Sequence, residues 1–417
     1  MKPENDIHDY NSQYERIVVH LNKQDISKKN KSLIIAFDRA CALEGLGKAR
    51  RIKIIGTLAN FAKDYLKNDF DIIGKEDLKD AIIKIDNKED YSPWTKQGYK
   101  AIIKKFYKWH VFGDGYKDKL EYPEIVSWLR VNLSTKDKPR VKASDILTDR
   151  EIDKLIEAAE HPRDKAFIAM LYELGARIGE IGGLSIGDLS TDEHSFIIDL
   201  TGKTGHRTPR IITSDPYLRT WLNVHPLRNE PNAPVWVMQG ARNKNKRMNY
   251  AALRALVLRL KEKAKIKKRV YPHLFRHTRV THLLINKQIN ETQAKVYFGW
   301  VPSTHMLSEY SHLVSQDVND VMLEIHGIKT EESEKHEPKI KQCPRCNDIN
   351  LKDHLFCKKC GSVLDVKTAI ALDDKKKGFE GILAEMLRRD PSLKAAVVES
   401  VLKEGLGKKL MELYTDK

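Results

Sequence analysis

The sequence has no apolar run long enough to cross a bilayer, and its first residues, MKPENDIHDY, contain no hydrophobic stretch of the kind found in a signal peptide. These absences predict a cytoplasmic protein with no membrane contact. Cysteine is also scarce, since four of the five residues fall between 343 and 360 and Cys41 stands apart. In a reducing compartment this distribution favours metal binding over disulfide bonds, and Cys41 is expected to be a small buried apolar residue.

Two common signatures of nucleotide and metal chemistry are also missing. The stretch TGKTG is similar to a phosphate-binding loop, but that motif needs a glycine five positions before Gly202, where the chain has Ile197. We find no trio of carboxylates in a ribonuclease-H-like strand pattern, which disfavours a metal-dependent transposase. We therefore expect neither ATP nor a catalytic metal.

Positive charge is what the sequence has in excess. Its 74 Lys and Arg residues against 58 Asp and Glu give a net charge of +16. This balance favours a polyanionic partner such as nucleic acid, although solubility alone also explains such a charge. The length of 417 residues predicts two or more domains.

Changes in composition divide the chain into six segments, and the helical periodicity of most of them predicts a mainly α fold (α+β). One β-hairpin is expected, in which SFIIDL pairs with RIIT across TGKTGHRTP. The segments are a helical core and DNA-binding domain at 1–135, a linker at 136–144, a mixed but mostly helical domain at 145–328, a charged linker at 329–342, a zinc ribbon at 343–366 and amphipathic C-terminal helices at 367–417.

One helix of the first segment has a basic stripe. Ser92 can cap it and Pro93 suits its first turn. Lysines recur there at every fourth position, on a different face from the apolar residues. The stripe is a candidate for phosphate contacts, or else a solvated face. The candidate DNA-binding residues are Arg50, Arg51, Lys96, Lys100, Lys104 and Lys108.

Two arginines of the third segment lie in motifs near expected helix ends. In GARIGEIGGL, Arg177 follows Gly175, where an apolar helix should end, and Glu180 lies one turn further on. In PHLFRHT, His273 and Arg276 are one helical turn apart and are expected to point outward, while the intervening residues face a core. Taken singly, each has an ordinary structural explanation.

Three further residues complete the set. Lys203 lies at the expected tip of the hairpin, where it is either a ligand-covering residue or an ordinary exposed turn lysine. Trp300 follows Gly299, an expected helix stop. Tyr310 in LSEYSHL falls on a short helix that Ser303 can cap, and it is either functional or a core aromatic.

The order of these residues resembles that of the tyrosine recombinases of the phage-integrase and Xer family, over residues 145–315. GARIGE resembles the family's first-arginine motif, HLFRHT its histidine and second-arginine motif, and LSEYSHL its nucleophile motif. Trp300 stands where most members have histidine and some, including many archaeal ones, have tryptophan. The resemblance makes 145–328 a catalytic domain, in an archaeal-type chain with a C-terminal zinc ribbon.

The resemblance implies a role for each residue. Tyr310 would be the nucleophile that forms a 3′-phosphotyrosyl bond, and Arg177 and Arg276 would bind the scissile phosphate. Lys203 would protonate the leaving 5′ oxygen. His273 would assist proton transfer from the nucleophile, and Trp300 would donate to a phosphate oxygen. In relatives, residues at the positions of Glu180 and His277 support the arginine and histidine side chains.

The cysteine cluster CPRCNDINLKDHLFCKKCG has two CxxC pairs separated by ten residues. This spacing is typical of a zinc ribbon, in which four thiolates close a tetrahedral structural site. A redox CxxC pair is the alternative, disfavoured because there are two pairs and no surrounding α/β pattern. The predicted ligands are Cys343, Cys346, Cys357 and Cys360, while Lys358 and Lys359 mildly favour DNA as the ribbon's partner.

Three functions are therefore compatible with the sequence. The leading one is a site-specific recombinase that acts as a homo-oligomer, expected to be a tetramer, on double-stranded DNA carrying specific recombination sites. The alternatives are DNA relaxation like that of a type IB topoisomerase and a catalytically quiet DNA-binding regulator. The sequence reveals neither the target site nor the biological role.

Overall fold

The computed structural model describes residues 6–132, 142–202, 205–285, 289–301 and 340–403. Within them the chain is mostly helical with three small antiparallel two-stranded sheets, which confirms the predicted mainly α fold. Two large hydrophobic cores form, one from residues 21–129 and one from Ile7 together with residues 147–275. We refer to them as the cores of the helical lobe and of the second lobe.

The helical lobe consists of α1 (Tyr10–Lys23), α2 (Lys28–Leu43), α3 (Lys48–Asp64), α4 (Lys75–Asp86), α5 (Pro93–Phe112) and the short α6 (Glu124–Ser127). Helix α5 begins as predicted, because the Ser92 side chain accepts a hydrogen bond from the Thr95 amide. Its apolar face is buried against α2, α3 and α4. Cys41 is fully buried in this core, as expected.

The second lobe is built around α8 (Pro162–Leu174), which is buried on nearly all sides. It packs against α7 (Asp149–Glu157), α10 (Asp215–Asn223) and α12 (Pro272–Ile285). The remaining helices are α9 (Ile178–Gly182), α11 (Tyr250–Lys263) and α13 (Glu291–Phe298). Because α8 is surrounded, its C-terminal end lies in the interior of the lobe, where the candidate site forms.

The strands pair differently from the predicted hairpin. Strand β2 (Phe196–Ile198) pairs with the preceding β1 (Leu189–Thr191), and the tight hairpin is β3 (Leu200–Gly202) with β4 (Gly205–Arg207). The stretch RIIT keeps a single bridge, between Arg210 and Ile197.

One local and one tertiary feature explain why RIIT forms no strand. Pro209 has no amide hydrogen to donate to a ladder. The Glu173 carboxylate accepts the amides of Ile212, Thr213 and Ser214 at 2.7–2.9 Å, so these donors are not available to a neighbouring strand.

The C-terminal part contains β5 (Ile340–Gln342), β6 (Ile349–Leu351), α14 (Val366–Arg389) and α15 (Pro391–Lys403). Strand β5 pairs with β6, so the last three residues of the segment predicted as a charged linker are part of a sheet. The break between the two helices falls at Pro391, as predicted. None of the described helices combines the length and apolar composition needed to cross a membrane.

The N-terminal segment joins the two lobes. Ile7 is buried in the second lobe's core, and its carbonyl accepts a hydrogen bond from the Tyr250 amide at 2.9 Å. A Cβ atom at Gly182 would lie 2.6 Å from Leu253 and 3.0 Å from Ile7, so the glycine leaves space for both side chains. The chain then enters α1, which packs on α3 in the helical lobe.

Candidate active site

The first arginine lies at the junction that the sequence predicted. Helix α8 ends at Leu174, and Gly175 takes the left-handed conformation, with φ of +50°. A Cβ atom on Gly175 would lie 2.7 Å from Phe298, so glycine is needed for space as well. Arg177 then caps α9, and its Nη1 donates to Oε1 of Glu180 at 2.8 Å. This ion pair fixes the direction of the Arg177 side chain, which is 34% exposed.

Glu180 is deeply buried and accepts from two arginines. Its Oε2 accepts from the Arg177 amide at 3.1 Å and from Nη2 of Arg207 at 2.7 Å. Burial alone would raise the pKa of Glu180, but Arg207 and then Arg177 overcome it, so the pKa lies below the usual value. The sequence reasoning missed Arg207, since nothing in HRTPR marks which of its two arginines turns inward.

Arg276 differs from the expectation that it points outward, because its side chain is buried. Its Nη1 donates to the Gly175 carbonyl at 3.0 Å and its Nη2 to the Phe298 carbonyl at 2.8 Å. These carbonyls lie at the C-terminal ends of α8 and α13, where helices leave acceptors without an internal partner. One guanidinium group therefore joins three sequence motifs that are far apart in the chain.

Trp300 lies beside this guanidinium group. Helix α13 ends at Phe298, and Gly299 takes the left-handed conformation with φ of +61°, as the sequence predicted. The Trp300 ring is buried, and the central carbon of the Arg276 guanidinium lies 5.6 Å from its centroid. The indole thus lies in the same cluster as the second arginine.

The two histidines of HLFRHT stack edge to face, with ring centroids 4.7 Å apart. Desolvation lowers the pKa of His273, and the nearby charges of Arg276 and Arg177 lower it further. Burial, His273 and Arg276 together lower the pKa of His277 to about 4. Both rings are therefore neutral at pH 7, and a neutral imidazole can accept a proton.

Lys203 and Tyr310 lie outside the described residues. The register of the β3–β4 hairpin pairs Gly202 with Gly205, so Lys203 and Thr204 are the two residues between the strands. Among the described residues, the structure brings together Arg177, Glu180, His273, Arg276, His277 and Trp300 of the predicted set.

The predicted basic stripe on α5 is turned toward oxygens of the protein. Lys96 and Lys100 bond the backbone and the carboxylate of Asp86, at 2.6 and 2.8 Å. Lys104 and Lys108 donate to the carbonyls of Leu129 and Lys119 at 2.7 and 2.6 Å.

The two arginines predicted with the stripe differ from each other. Arg51 is paired with the buried Asp38, and its Nε donates to that carboxylate at 2.8 Å. Arg50 is exposed on α3. DNA contact by these six residues stays a prediction.

The four predicted cysteine ligands converge. Their sulfur atoms all lie within 4.8 Å of one another, and the Cys343–Cys360 and Cys346–Cys357 pairs are each 3.6 Å apart. Lys358 differs from its predicted DNA-facing role, because its Nζ donates to the Pro216 carbonyl at 2.7 Å. The cysteine cluster therefore contacts the start of α10 in the second lobe.

Comparison with known proteins finds a family that the region of the site resembles. The sequence model described as "Phage integrase family" matches residues 145–317. Tyrosine recombinase XerA of Pyrococcus horikoshii is 30% identical over 138 residues, which are 33% of this chain and 47% of the relative. Tyrosine recombinase XerD of Bifidobacterium longum is 25% identical over 277 residues, 61% of this chain and 83% of the relative. The chain thus matches about half the length of the first relative and most of the second.

Solved structures share the fold. A lambda integrase dimer bound to a COC′ core site has a TM-score of 0.53 at 13% identity, over 73% of this chain and 79% of the other. XerH site-specific recombinase bound to its palindromic difH substrate has a TM-score of 0.52 at 17% identity, over 78% of this chain and 98% of the other. The matched region covers the arginine, histidine and tryptophan motifs described above, so residues 145–317 of this chain are similar to the tyrosine recombinases of the phage integrase family.

Proposed function

We propose that the protein is a site-specific DNA recombinase that cleaves and rejoins strands through a covalent 3′-phosphotyrosyl intermediate. The observation that carries the proposal is the position of Arg276, whose bonds to the Gly175 and Phe298 carbonyls hold three family motifs together. Two guanidinium groups and two neutral imidazoles in one cluster suit a phosphodiester in its charged transition state.

The proposed chemistry assigns each group one task. Tyr310 attacks the phosphorus and displaces the 5′ oxygen, so the strand's bond energy is kept in a new phosphoester. Arg177 and Arg276 bind the non-bridging oxygens, and Trp300 donates to one of them. His273, neutral at pH 7, takes up the tyrosine proton, and Lys203 protonates the 5′ oxygen. Neither ATP nor a catalytic metal takes part.

The proposed substrate is double-stranded DNA with specific recombination sites, bound by a homo-oligomer. One of the similar structures is a lambda integrase tetramer bound to a Holliday junction, with a TM-score of 0.51. By analogy we propose a tetramer on two sites, a cytoplasmic location, and the six-segment division from 1–135 to 367–417. Of the six candidate DNA-binding residues, Arg50 on α3 is the exposed one, which suits a phosphate contact.

Trapping on a nicked suicide duplex tests the proposal. The wild-type protein should form a covalent adduct at Tyr310, identified by mass spectrometry. Tyr310→Phe should bind the same duplex with unchanged affinity and form no adduct. Binding by both proteins without any adduct would favour the regulator. Relaxation of supercoiled DNA without exchange between two labelled sites would favour the topoisomerase-like activity.

We further propose that Cys343, Cys346, Cys357 and Cys360 hold a structural zinc ion. With Zn–S bonds of about 2.3 Å, a tetrahedral site needs sulfurs about 3.8 Å apart, and the observed sulfur pairs at 3.6 Å fit that geometry. Four protein ligands leave no open position, so the ion would support the fold of the ribbon. One zinc per chain should be measured by mass spectrometry. Chelation should unfold the ribbon of the full chain. A fragment that ends near residue 330, and so lacks the ribbon, should cleave DNA equally well with and without the chelator.

A further inference from the structure

The buried Glu180 carboxylate lies between two guanidinium groups that come from different elements. Arg177 at the start of α9 pairs with Oε1 at 2.8 Å, and Arg207 at the end of β4 pairs with Oε2 at 2.7 Å. The exposed fractions of the Glu180 and Arg207 side chains are 4% and 9%, while Arg177 is 34% exposed. The carboxylate and one arginine are thus internal, and the other arginine reaches the surface of the site.

The charges of this triad matter for phosphate binding. Arg177 paired with Glu180 alone is a neutral unit, which attracts an anion weakly. With Arg207 on the same carboxylate, the triad carries a net charge of +1, and electrostatic interactions are strong where water is largely excluded. We propose that Arg207 is a positioning residue that balances the charge of Glu180, leaving the positive charge of Arg177 available for the scissile phosphate. The inference rests on the proposed function in taking a phosphodiester as the ligand.

The triad is packed closely against two glycines. A Cβ atom on Gly202 would collide with Oε1 of Glu180, and one on Gly299 would lie 2.8 Å from Nη1 of Arg207. Two glycines from separate elements therefore give space to the carboxylate and to the second guanidinium group. Both glycines are next to candidate site residues: Gly299 precedes Trp300, and Gly202 ends β3 and precedes Lys203.

Arg207 is also poorly explained as a mere structural support. Its Nε is buried and has no hydrogen-bond partner among the described residues. A buried donor without a partner is costly, so a purely structural site would be better served by a neutral side chain. Arginine supplies a full positive charge here, 2.7 Å from the carboxylate, and this charge lowers the pKa of Glu180.

Three variants test the proposal through the rate of adduct formation on the suicide duplex. Arg207→Gln should lower the rate about 100-fold with DNA affinity within about twofold, because one oxyanion-directed cation contributes about 10²–10³ to such steps. Adding Glu180→Gln to it removes the charge that Arg207 balances, and the double variant should recover at least tenfold. Arg207→Lys keeps the charge, so its rate of adduct formation should be higher than that of Arg207→Gln.

Arg210 gives the matched control. It lies three residues further on and pairs with Asp192, its Nη1 donating at 2.6 Å, and both side chains are partly exposed. Arg210→Gln, alone or with Asp192→Asn, should leave the rate within about twofold of wild type. If the Arg207 and Glu180 double variant is as slow as Arg207→Gln or slower, or if Arg207→Gln keeps the wild-type rate, charge balancing is wrong.

A binding measurement separates this inference from the proposed function. The affinity of each variant for a half-site duplex ending in a 3′-phosphate is compared with that for the same duplex ending in a 3′-hydroxyl. Charge balancing predicts that the gain from the phosphate falls in Arg207→Gln and returns in the double variant, even if the wild-type protein forms no adduct. An unchanged gain in Arg207→Gln, or a loss that persists in the double variant, overturns it.

Discussion

The helical lobe and the second lobe both hold cations against protein oxygens, but in different ways. On α5, each stripe lysine places an ammonium group on an acceptor at the end of a flexible chain, such as Lys104 on the Leu129 carbonyl. In the second lobe, the buried Arg276 spans two carbonyls from the ends of separate helices. A lysine of the first kind can leave its partner at little cost, whereas the arginine cannot move without disturbing both helix ends.

This difference teaches that a regular spacing of charged residues does not predict how the folded chain holds their side chains. The regular four-residue spacing of the lysines on α5 is easy to see in the sequence, yet their partners are carbonyls and one carboxylate of the same lobe. The arginines of the site follow no periodicity, because helix ends and tight turns place them. Substitutions at Arg276, at the neighbouring His277 and at Lys100 measure how far the two regions differ.

Replacing Arg276 should have the largest effect. If Arg276 binds the phosphate as proposed, Arg276→Ala removes that guanidinium group and should lower the cleavage rate by about 10³-fold or more. It also leaves two buried carbonyls without this donor, at about 1–3 kcal/mol each in the free energy of unfolding. Arg276→Lys should rescue cleavage poorly, because an ammonium group cannot reproduce the fork. Single-turnover cleavage and urea unfolding measure the two effects. Arg254→Ala, on an exposed part of α11, is the control and should change neither.

A change at His277 should have an intermediate effect that depends on pH. The folded protein holds the pKa of His277 at about 4, against an ordinary 6.5. Between these values the unfolded chain binds a proton that the folded chain does not, so stability falls as the pH falls from 6.5 toward 4. Lowering the pH from 7 to 5 should decrease the free energy of unfolding of His277→Gln by about 1 kcal/mol less than that of the wild type, as measured by urea unfolding. Partial exposure of the ring keeps the difference this small. Equal losses in the two proteins would contradict the assignment.

The smallest effect is expected on the stripe. Lys100→Ala breaks a partly exposed pair with Asp86 and should cost less than about 0.5 kcal/mol in stability. Because its ammonium group is already engaged, the salt dependence of DNA binding should change by less than about one unit of slope. Arg50→Ala, at an exposed position on α3, should change the slope more. DNA titrations at several salt concentrations measure the two slopes. A larger change for Lys100→Ala than for Arg50→Ala would indicate that the stripe contacts DNA.

The sequence predicted those parts of the fold and site that local signals control. Ser92, Gly175, Pro272 and Gly299 mark helix ends, and each helix begins or ends there because capping depends on neighbouring residues. The cysteine spacing likewise predicted a cluster that the sulfur positions reproduce.

Tertiary partners decide what the sequence did not predict. Arg276 turns inward because two carbonyls from other helices meet beneath it. The segment after Pro209 forms no strand because the Glu173 carboxylate, from α8, takes its amides. The fold places Arg207 beside the buried Glu180 and Arg210 beside the partly exposed Asp192. Residue type alone does not distinguish the two arginines.

The burial of Ile7 has a practical consequence for anyone who trims or divides this chain. Cleaving the chain between residues 132 and 142 would leave the two lobes attached, because the Ile7 side chain of the N-terminal piece is buried in the core of the second lobe. Deleting the first seven residues, which precede every helix, would instead open a hole among side chains such as Leu253 that come much later in the sequence.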